Sequence, residues 1–262
     1  MKLMEIKNTA DVSSKITTMG DKLLQHCRPF LEQIDYAVAD HCVFRGLRKQ
    51  HYRPLMLKQS RMANRQTVDT PNALHELSNN YFTSKFGHPF RNGVFGIGSF
   101  NTAAGYGTGL IYPASNPEGL NAVIFPVGKF AFCWSPAVKD FYSDIIEPTM
   151  DLIYSTKVKT VCPDINGTSG NFNDVMSSPC VQNIVKDNLA DSIDNAHYST
   201  TDLKQAIDSH NEIMFAVHQY YVLPLQPEAS DTPWGHIRYK HVKGPNSTAL
   251  LTNLQSYIQQ HK

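Results

Sequence analysis

Three short segments, far apart in the chain, carry the side chains best suited to chemistry. Val43-Phe44-Arg45-Gly46 closes an apolar run with a guanidinium. Phe95-Gly96-Ile97-Gly98-Ser99 ends in a hydroxyl and is followed by Asn101-Thr102-Ala103-Ala104 and Tyr106-Gly107. Asn211-Glu212-Ile213-Met214-Phe215 opens on a carboxylate, with Tyr220-Tyr221 close behind. Small basic clusters, Arg45 with Arg48 and Lys49 and Arg61 with Arg65, are sized for one phosphorylated ligand rather than a duplex. Taken singly, each residue has a plainer use. An Arg at a strand end makes a solvated charge or an ion pair, a Ser after a strand caps a turn or helix, and a Glu after Asn starts a strand. His75-Glu76 lacks a second His and reads as helix surface. Gly96-Ile97-Gly98 begins like a dinucleotide fingerprint, but Asn101 stands where its third Gly belongs and no long helix follows. The phosphate-loop, nucleophile-elbow and zinc-protease signatures are missing, as is any paired Cys/His site, so no metal is expected.

The elements that must position these residues read as follows. Apolar residues at spacings of three and four predict helix over 12–39, broken at Pro29, which opens a second helix. A strand over 41–48 ends in charge. Helix is predicted from Pro71 to Phe86, capped by Thr70 and closed by Gly87. Short strands follow over Val94–Ser99 and, around a Gly128 turn, within Asn121–Trp134. Ser135–Tyr154 holds a helix. Residues 155–200, rich in Asn, Ser, Asp and Gly, read as a loop-rich insertion. A short helix over Asp202–Ser209 precedes paired or bent strands at Glu212–Phe215 and Tyr220–Leu223. The closing helix from Ser247 carries Leu250, Leu251, Leu254, Tyr257 and Ile258 on one face. Helices first and short, non-alternating strands later argue for an α+β fold in a single domain, 1–262, with residues 1–40 as its N-terminal helical part.

Composition narrows the function classes. A net charge of +1 over 262 residues gives no sign of duplex nucleic-acid binding. The 13 Phe and 12 Tyr supply much of a core. The odd count of 5 Cys, with no CxxC, suggests reduced thiols in a cytoplasmic setting. MKLMEIKNT lacks the apolar region of a signal peptide, and no apolar run approaches the roughly 20 residues of a membrane span. Asn166-Gly167-Thr168 and Asn246-Ser247-Thr248 fit the glycan acceptor pattern without a secretory signal to give it meaning.

The order of the three segments resembles the Arg–Ser–Glu class of mono-ADP-ribosyltransferases, which includes bacterial toxins and bacteriophage enzymes that modify host proteins. In that class an Arg closes the first strand, a Ser/Thr strand follows with an Ala a few residues on, and a Glu begins a late strand. Pro29-Phe30-Leu31 ahead of Phe44-Arg45-Gly46 is similar too. The resemblance spans about residues 25–225 and rests on these short motifs.

It implies a split β-sandwich of two mostly antiparallel sheets with helices outside, NAD bound between the sheets, and transfer of ADP-ribose to a host protein or other macromolecule in the cytoplasm. Arg45 would hold the pyrophosphate through its planar fork, with Arg65 and Arg91 as further phosphate contacts. Gly46 would let the nicotinamide amide approach the backbone. Phe132 or Trp134 would line the nicotinamide pocket. Glu212 would stabilise the cationic ribose centre, and Ser99, or Thr102 in its place, would orient Glu212. The family's Ser-Thr-Ser triplet reads here as Ile97-Gly98-Ser99, matched at its last position only. His210 stands two residues before Glu212, where enzymes that modify arginine carry Glu or Gln, so the acceptor stays open. An NAD glycohydrolase on the same scaffold, or a non-catalytic virion or binding protein, are the other readings.

Overall fold

The computed structural model describes residues 2–47, 55–63, 65, 67, 70–103, 120–165, 171–225, 227–230, 238–243 and 245–262. Arg48, Lys49, Ala104, Tyr106, Gly107 and the Asn166–Thr168 acceptor lie outside them.

Helix α1 (Lys2–His26) leads into α2 (Arg28–Gln33), with Pro29 in the first turn of α2 as expected, because proline's missing N–H costs nothing there. Strands β1 (Phe44–Leu47) and β2 (Met56–Gln59) follow, then α3 (Asn72–Phe86) and a single 3-10 turn, Phe90–Asn92, which feeds β3 (Val94–Ile97). Thr70 does not cap α3: its cap position is Pro71, without a side-chain bond, while Gly87 closes the helix at φ 79°, as the left-handed position demands. β4 (Leu120–Pro126), β5 (Ala131–Trp134), α4 (Glu147–Tyr154), α5 (Thr156–Val161), α6 (Phe172–Met176), α7 (Pro179–Asn195), α8 (Leu203–Asp208), β6 (Glu212–Ala216), β7 (Gln219–Leu225), β8 (Pro227–Ser230), β9 (Arg238–Lys243) and α9 (Pro245–His261) complete the order.

Residues 155–200 correct the sequence reading. In place of a loop-rich insertion they hold α5, α6 and α7, the last with 17 residues. Ser178 caps α7 by accepting from Val181 N, Pro179 sits in its first turn, and Val181, Val185, Leu189 and Ile193 recur every four residues on its buried face. Asn and Asp occupy the solvent face and mask that stripe. The thiols also differ from expectation. Cys162, just past α5, and Cys180, in the first turn of α7, form a disulfide across 5.8 Å between Cα atoms, while Cys27, Cys42 and Cys133 are buried and outside it.

The fold is α+β. The expected division into two packed sheets is corrected to one hydrogen-bonded sheet of seven strands, ordered β2-β7-β4-β1-β3-β6-β5 with every pairing antiparallel, beside the small β8–β9 ladder. The sheet is uneven. β1 meets β4 over four residue pairs but meets β3 only at Phe44–Ile97, so a seam runs between β1 and β3. Two of the connections that cross it are short. β4 and β5, joined around Gly128, are not neighbours, and neither are β6 and β7, although only Val217 and His218 separate them. Neither connection is a hairpin, because each carries the chain from one side of the seam to the other.

Core packing follows the period of two. In β6, Ile213 and Phe215 face one buried cluster, with Phe30, Leu31, Val43, Ile124, Phe125 and Leu254; Met214 and Ala216 face the other, with Leu74, Phe82, Phe90, Phe141 and Leu189. Helices therefore cover both faces of the sheet. Leu251, Leu254 and Ile258 of α9 are fully buried, as their spacing predicts. No helix among the described residues is long and apolar enough to cross a membrane.

Candidate functional site

Glu212 is the first residue of β6. Asn211, buried, donates from Nδ2 to Ser135 O at 2.9 Å, and Glu212 N donates to Lys139 O at 3.1 Å. These bonds secure the strand where it emerges from the turn after α8, in which His210 is exposed and holds φ 59°. Glu212 lies opposite Ile97, at the end of the ladder, and Met214 opposite Phe95; Glu212, Met214 and Phe95 share one sheet face, while Ile97 packs into the cluster on the other.

Arg91 reaches that face from the 3-10 turn. Its Nη1 donates to Glu212 Oε1 at 2.9 Å and lies 3.7 Å from Met214 Sδ. The pair is enclosed, with 8% of the Arg91 side chain and 15% of the Glu212 side chain exposed. The guanidinium carbon stands 4.2 Å from the Phe141 ring centre and 4.6 Å from that of Phe95, within cation–π range. Gly93 allows this approach: a Cβ there would sit 1.9 Å from Phe215 O, so only glycine lets the turn press against β6.

Two further arginines converge from across the seam. Arg45 Nη1 donates to Phe95 O at 2.9 Å. Arg65 Nη1 donates to Gly93 O, and its guanidinium carbon lies 4.4 Å from the Phe95 ring centre. Gly93 and Phe95 are two residues apart in extended chain and present their carbonyls to the same edge. On that edge β1 has diverged, and guanidinium groups supply the donors that a paired strand would have supplied.

The electrostatics are lopsided: Arg91 and Arg65 act on the Glu212 carboxylate, and Arg45 stands beside Arg65. Burial, then the neighbouring Arg45 and Arg91, push Arg65 down to about 10. Burial also raises the Glu212 carboxyl above the ordinary value, with Asp140 adding to the rise and Arg91 and Arg65 opposing it.

The other expected residues fall elsewhere. Ser99 Oγ accepts from Thr102 N at 3.3 Å and from Thr102 Oγ1 at 2.9 Å, capping the helical turn that starts at Phe100, and among the described residues it makes no bond to Glu212. Gly98 is a packing residue, because a Cβ there would meet Ile207 O at 1.7 Å. Gly46 pairs with Asn121 in β1 and is half-buried. Phe132 lies opposite Phe215 and Trp134 opposite Ile213, on the sheet face away from Glu212. Both are core residues rather than the lining of a pocket beside Glu212, and Trp134 Nε1 is used on Thr201 O at 2.9 Å.

His75 was also misplaced by sequence reasoning. It is buried, with Nε2 2.9 Å from Asn92 Oδ1 and 3.0 Å from Asn79 Nδ2, while Asn92 Nδ2 donates to Met62 O at 3.0 Å. Burial holds His75 below its ordinary pKa, and Arg91 and Arg65 add to that. This network braces the turn that carries Arg91. Its sequence signal is modest: His75 and Asn79 are four apart on α3, with Leu74, Ser78 and Phe82 completing the same buried face. Among the described residues, the group close enough for a metal is Cys162, Asp164 and Cys180, whose two thiols are committed to the disulfide.

Comparison of the chain with protein-family models, with curated proteins and with solved structures finds no match.

Proposed function

We propose that this chain is an NAD-consuming mono-ADP-ribosyltransferase, which moves ADP-ribose from NAD to a host macromolecule and releases nicotinamide, on a split sheet of the kind that class uses. The observation that carries the reading is the convergence of Arg45, Arg65, Arg91 and Glu212 around Phe95, from four segments that sequence order alone keeps far apart. Three guanidiniums against one carboxylate leave an excess of two positive charges, which matches the two negative charges of a pyrophosphate. Arg45 spends one donor on Phe95 O and Arg65 one on Gly93 O, and a guanidinium has five, so donors remain for phosphate oxygens.

Loss of nicotinamide leaves a cationic, oxocarbenium-like ribose carbon. Glu212 stabilises that charge and accepts from a ribose hydroxyl. Its largely enclosed position strengthens the interaction relative to water. The seam between β1 and β3, where the ladder reduces to a single residue pair, is the place where ligand can reach these side chains.

Tagged NAD added to a cell lysate tests the proposal. A labelled acceptor is expected with the wild-type chain and none with Glu212→Ala, whose folding is checked by circular dichroism. Full labelling by that variant overturns the assignment. Release of nicotinamide with no labelled acceptor assigns the same site to NAD hydrolysis.

A further inference from the structure

The resemblance gives the task of orienting Glu212 to Ser99, yet the hydroxyl of Ser99 is engaged with Thr102. The group in contact with the carboxylate is Arg91. We propose that Arg91 is the positioning residue of Glu212: it fixes the direction of the carboxylate and balances its charge at the start of β6. The inference rests on the functional reading above only in naming what Glu212 does.

Three observations support it. The contact is direct, 2.9 Å from Arg91 Nη1 to Glu212 Oε1, between two largely enclosed side chains. Arg91 is itself immobilised, with Phe95 and Phe141 rings against its guanidinium and Met214 Sδ near the same nitrogen. The backbone beneath it is braced through Asn92 by His75, Asn79 and the Met62 carbonyl. An orienting group has to be held more firmly than the group it orients, and this chain of contacts meets that requirement. The cap on the Phe100 turn has no such link to Glu212.

The charged and titratable surroundings of Glu212 give the expected sign. Arg91 and Arg65 favour its ionised form. Asp140, after β5, opposes it, and the buried phenol of Tyr198 is close enough to feel its charge. Replacing Arg91 by a neutral side chain removes the nearest favourable charge, so Glu212 gives up its proton at higher pH. A merely structural Arg91 could move that titration too, but it would not lower kcat at nearly unchanged KM in a folded variant.

The test uses the full chain with Arg91→Met, Arg91→Lys and Ser99→Ala, reading kcat and KM for nicotinamide release across pH. The carbon NMR titration of the Glu212 carboxyl is followed in parallel. For Arg91→Met, kcat is expected to fall about 100-fold, the size of effect that follows from misplacing a reacting group. KM is expected to change far less, and the acidic limb of the rate profile and the carboxyl titration should both move to higher pH. Arg91→Lys should recover part of kcat and most of the titration. If Arg91→Met does not fold, Arg91→Lys decides: a reduced kcat at nearly unchanged KM supports the inference, and wild-type values overturn it. A folded Arg91→Met with unmoved kcat and titration overturns it, as does a loss confined to Ser99→Ala. If the wild-type chain turns over no NAD, the functional reading fails, and the carboxyl titration still decides whether Arg91 balances the charge of Glu212: an unmoved titration in folded Arg91→Met overturns that part on its own.

Discussion

Two ion pairs tie distant parts of this chain together in opposite surroundings. Lys204 of α8 meets Asp35 after α2 at 2.5 Å, with side chains 42% and 73% exposed. Arg91 meets Glu212 at 2.9 Å with both largely enclosed. In the first pair water screens both partners, and each long side chain gives up rotamer freedom to meet the other, so little net free energy is gained. In the second, desolvation of both charges is offset because the contact is short, the guanidinium lies against two aromatic rings, and Asn92 in the turn beneath it is hydrogen-bonded to Met62 O. The contrast teaches that distance alone is a poor guide to what a pair does. The exposed pair is expendable, and the enclosed pair holds a carboxylate beside a cluster of cations.

Removing one member of the enclosed pair breaks the comparison most sharply. Arg91→Met leaves Glu212 without its nearest counter-charge, and a loss of about 3–5 kcal/mol is expected for such an uncompensated partner. Urea unfolding at neutral pH measures it. A midpoint equal to that of the wild type would place this pair alongside the exposed one.

Glu212→Gln is the milder change on the other side. The amide still accepts from Arg91, so the fold should hold, while activity should fall about 100- to 1,000-fold with the lost stabilisation of the cationic centre. It also isolates the pH dependence of Glu212. Burial raises the folded-state pKa of Glu212 above its unfolded value. Between those two values the folded chain binds more protons than the unfolded chain, so the Glu212 contribution to stability falls as pH rises. The melting temperature of the wild type, relative to Glu212→Gln, is therefore expected to drop through that window and level off above it. A difference independent of pH would show that Glu212 ionises as freely folded as unfolded.

How far all this could be read from sequence depends on what kind of signal each element carries. β1, β3 and β6 were legible because apolar runs bounded by Arg45, Ser99 and Glu212 are short-range patterns. The break at Pro29 and the stop at Gly87 were legible because proline and glycine act locally. Helix α7 was hidden because its apolar stripe repeats every four residues amid Asn, Asp and Ser, and composition outweighed period. The strand neighbours were not legible at all. Val217-His218 has the length of a hairpin loop, yet β6 and β7 lie on opposite sides of the seam, a choice made by long-range packing. Arg91 and Arg65 were legible as cations and not as a cluster, because their meeting at Phe95 depends on where β1 leaves β3.

Arg65 sharpens the comparison from the side of charge. Burial first, then repulsion from Arg45 and Arg91, depresses it to about 10, with Glu212 opposing the shift, so a bound anion would relieve that repulsion. Arg65→Met should weaken binding of inorganic pyrophosphate by about 10- to 100-fold, the equivalent of one charged hydrogen bond. Calorimetric titration reads this directly. Equal affinity in the variant would mean that the guanidinium serves the Gly93 carbonyl alone.

The smallest effect is expected at the exposed pair. The side-chain bond to Lys204, and its charge, hold the Asp35 carboxyl below its ordinary pKa, so any stability from the pair is present above the ordinary aspartate range and is lost as pH falls through the lowered folded value. Both groups are solvated, and salt screens what remains. Lys204→Ala should leave the melting temperature within experimental error of the wild type at neutral pH and moderate salt, and should leave anion binding unchanged. Asp35 itself stands at φ 51°, a strained position for a residue with a side chain, so Lys204 rather than Asp35 is the partner to remove. A clear loss of melting temperature in Lys204→Ala, suppressed by added salt, would show that the α2–α8 contact relies on this pair and that exposure is not what separates the two.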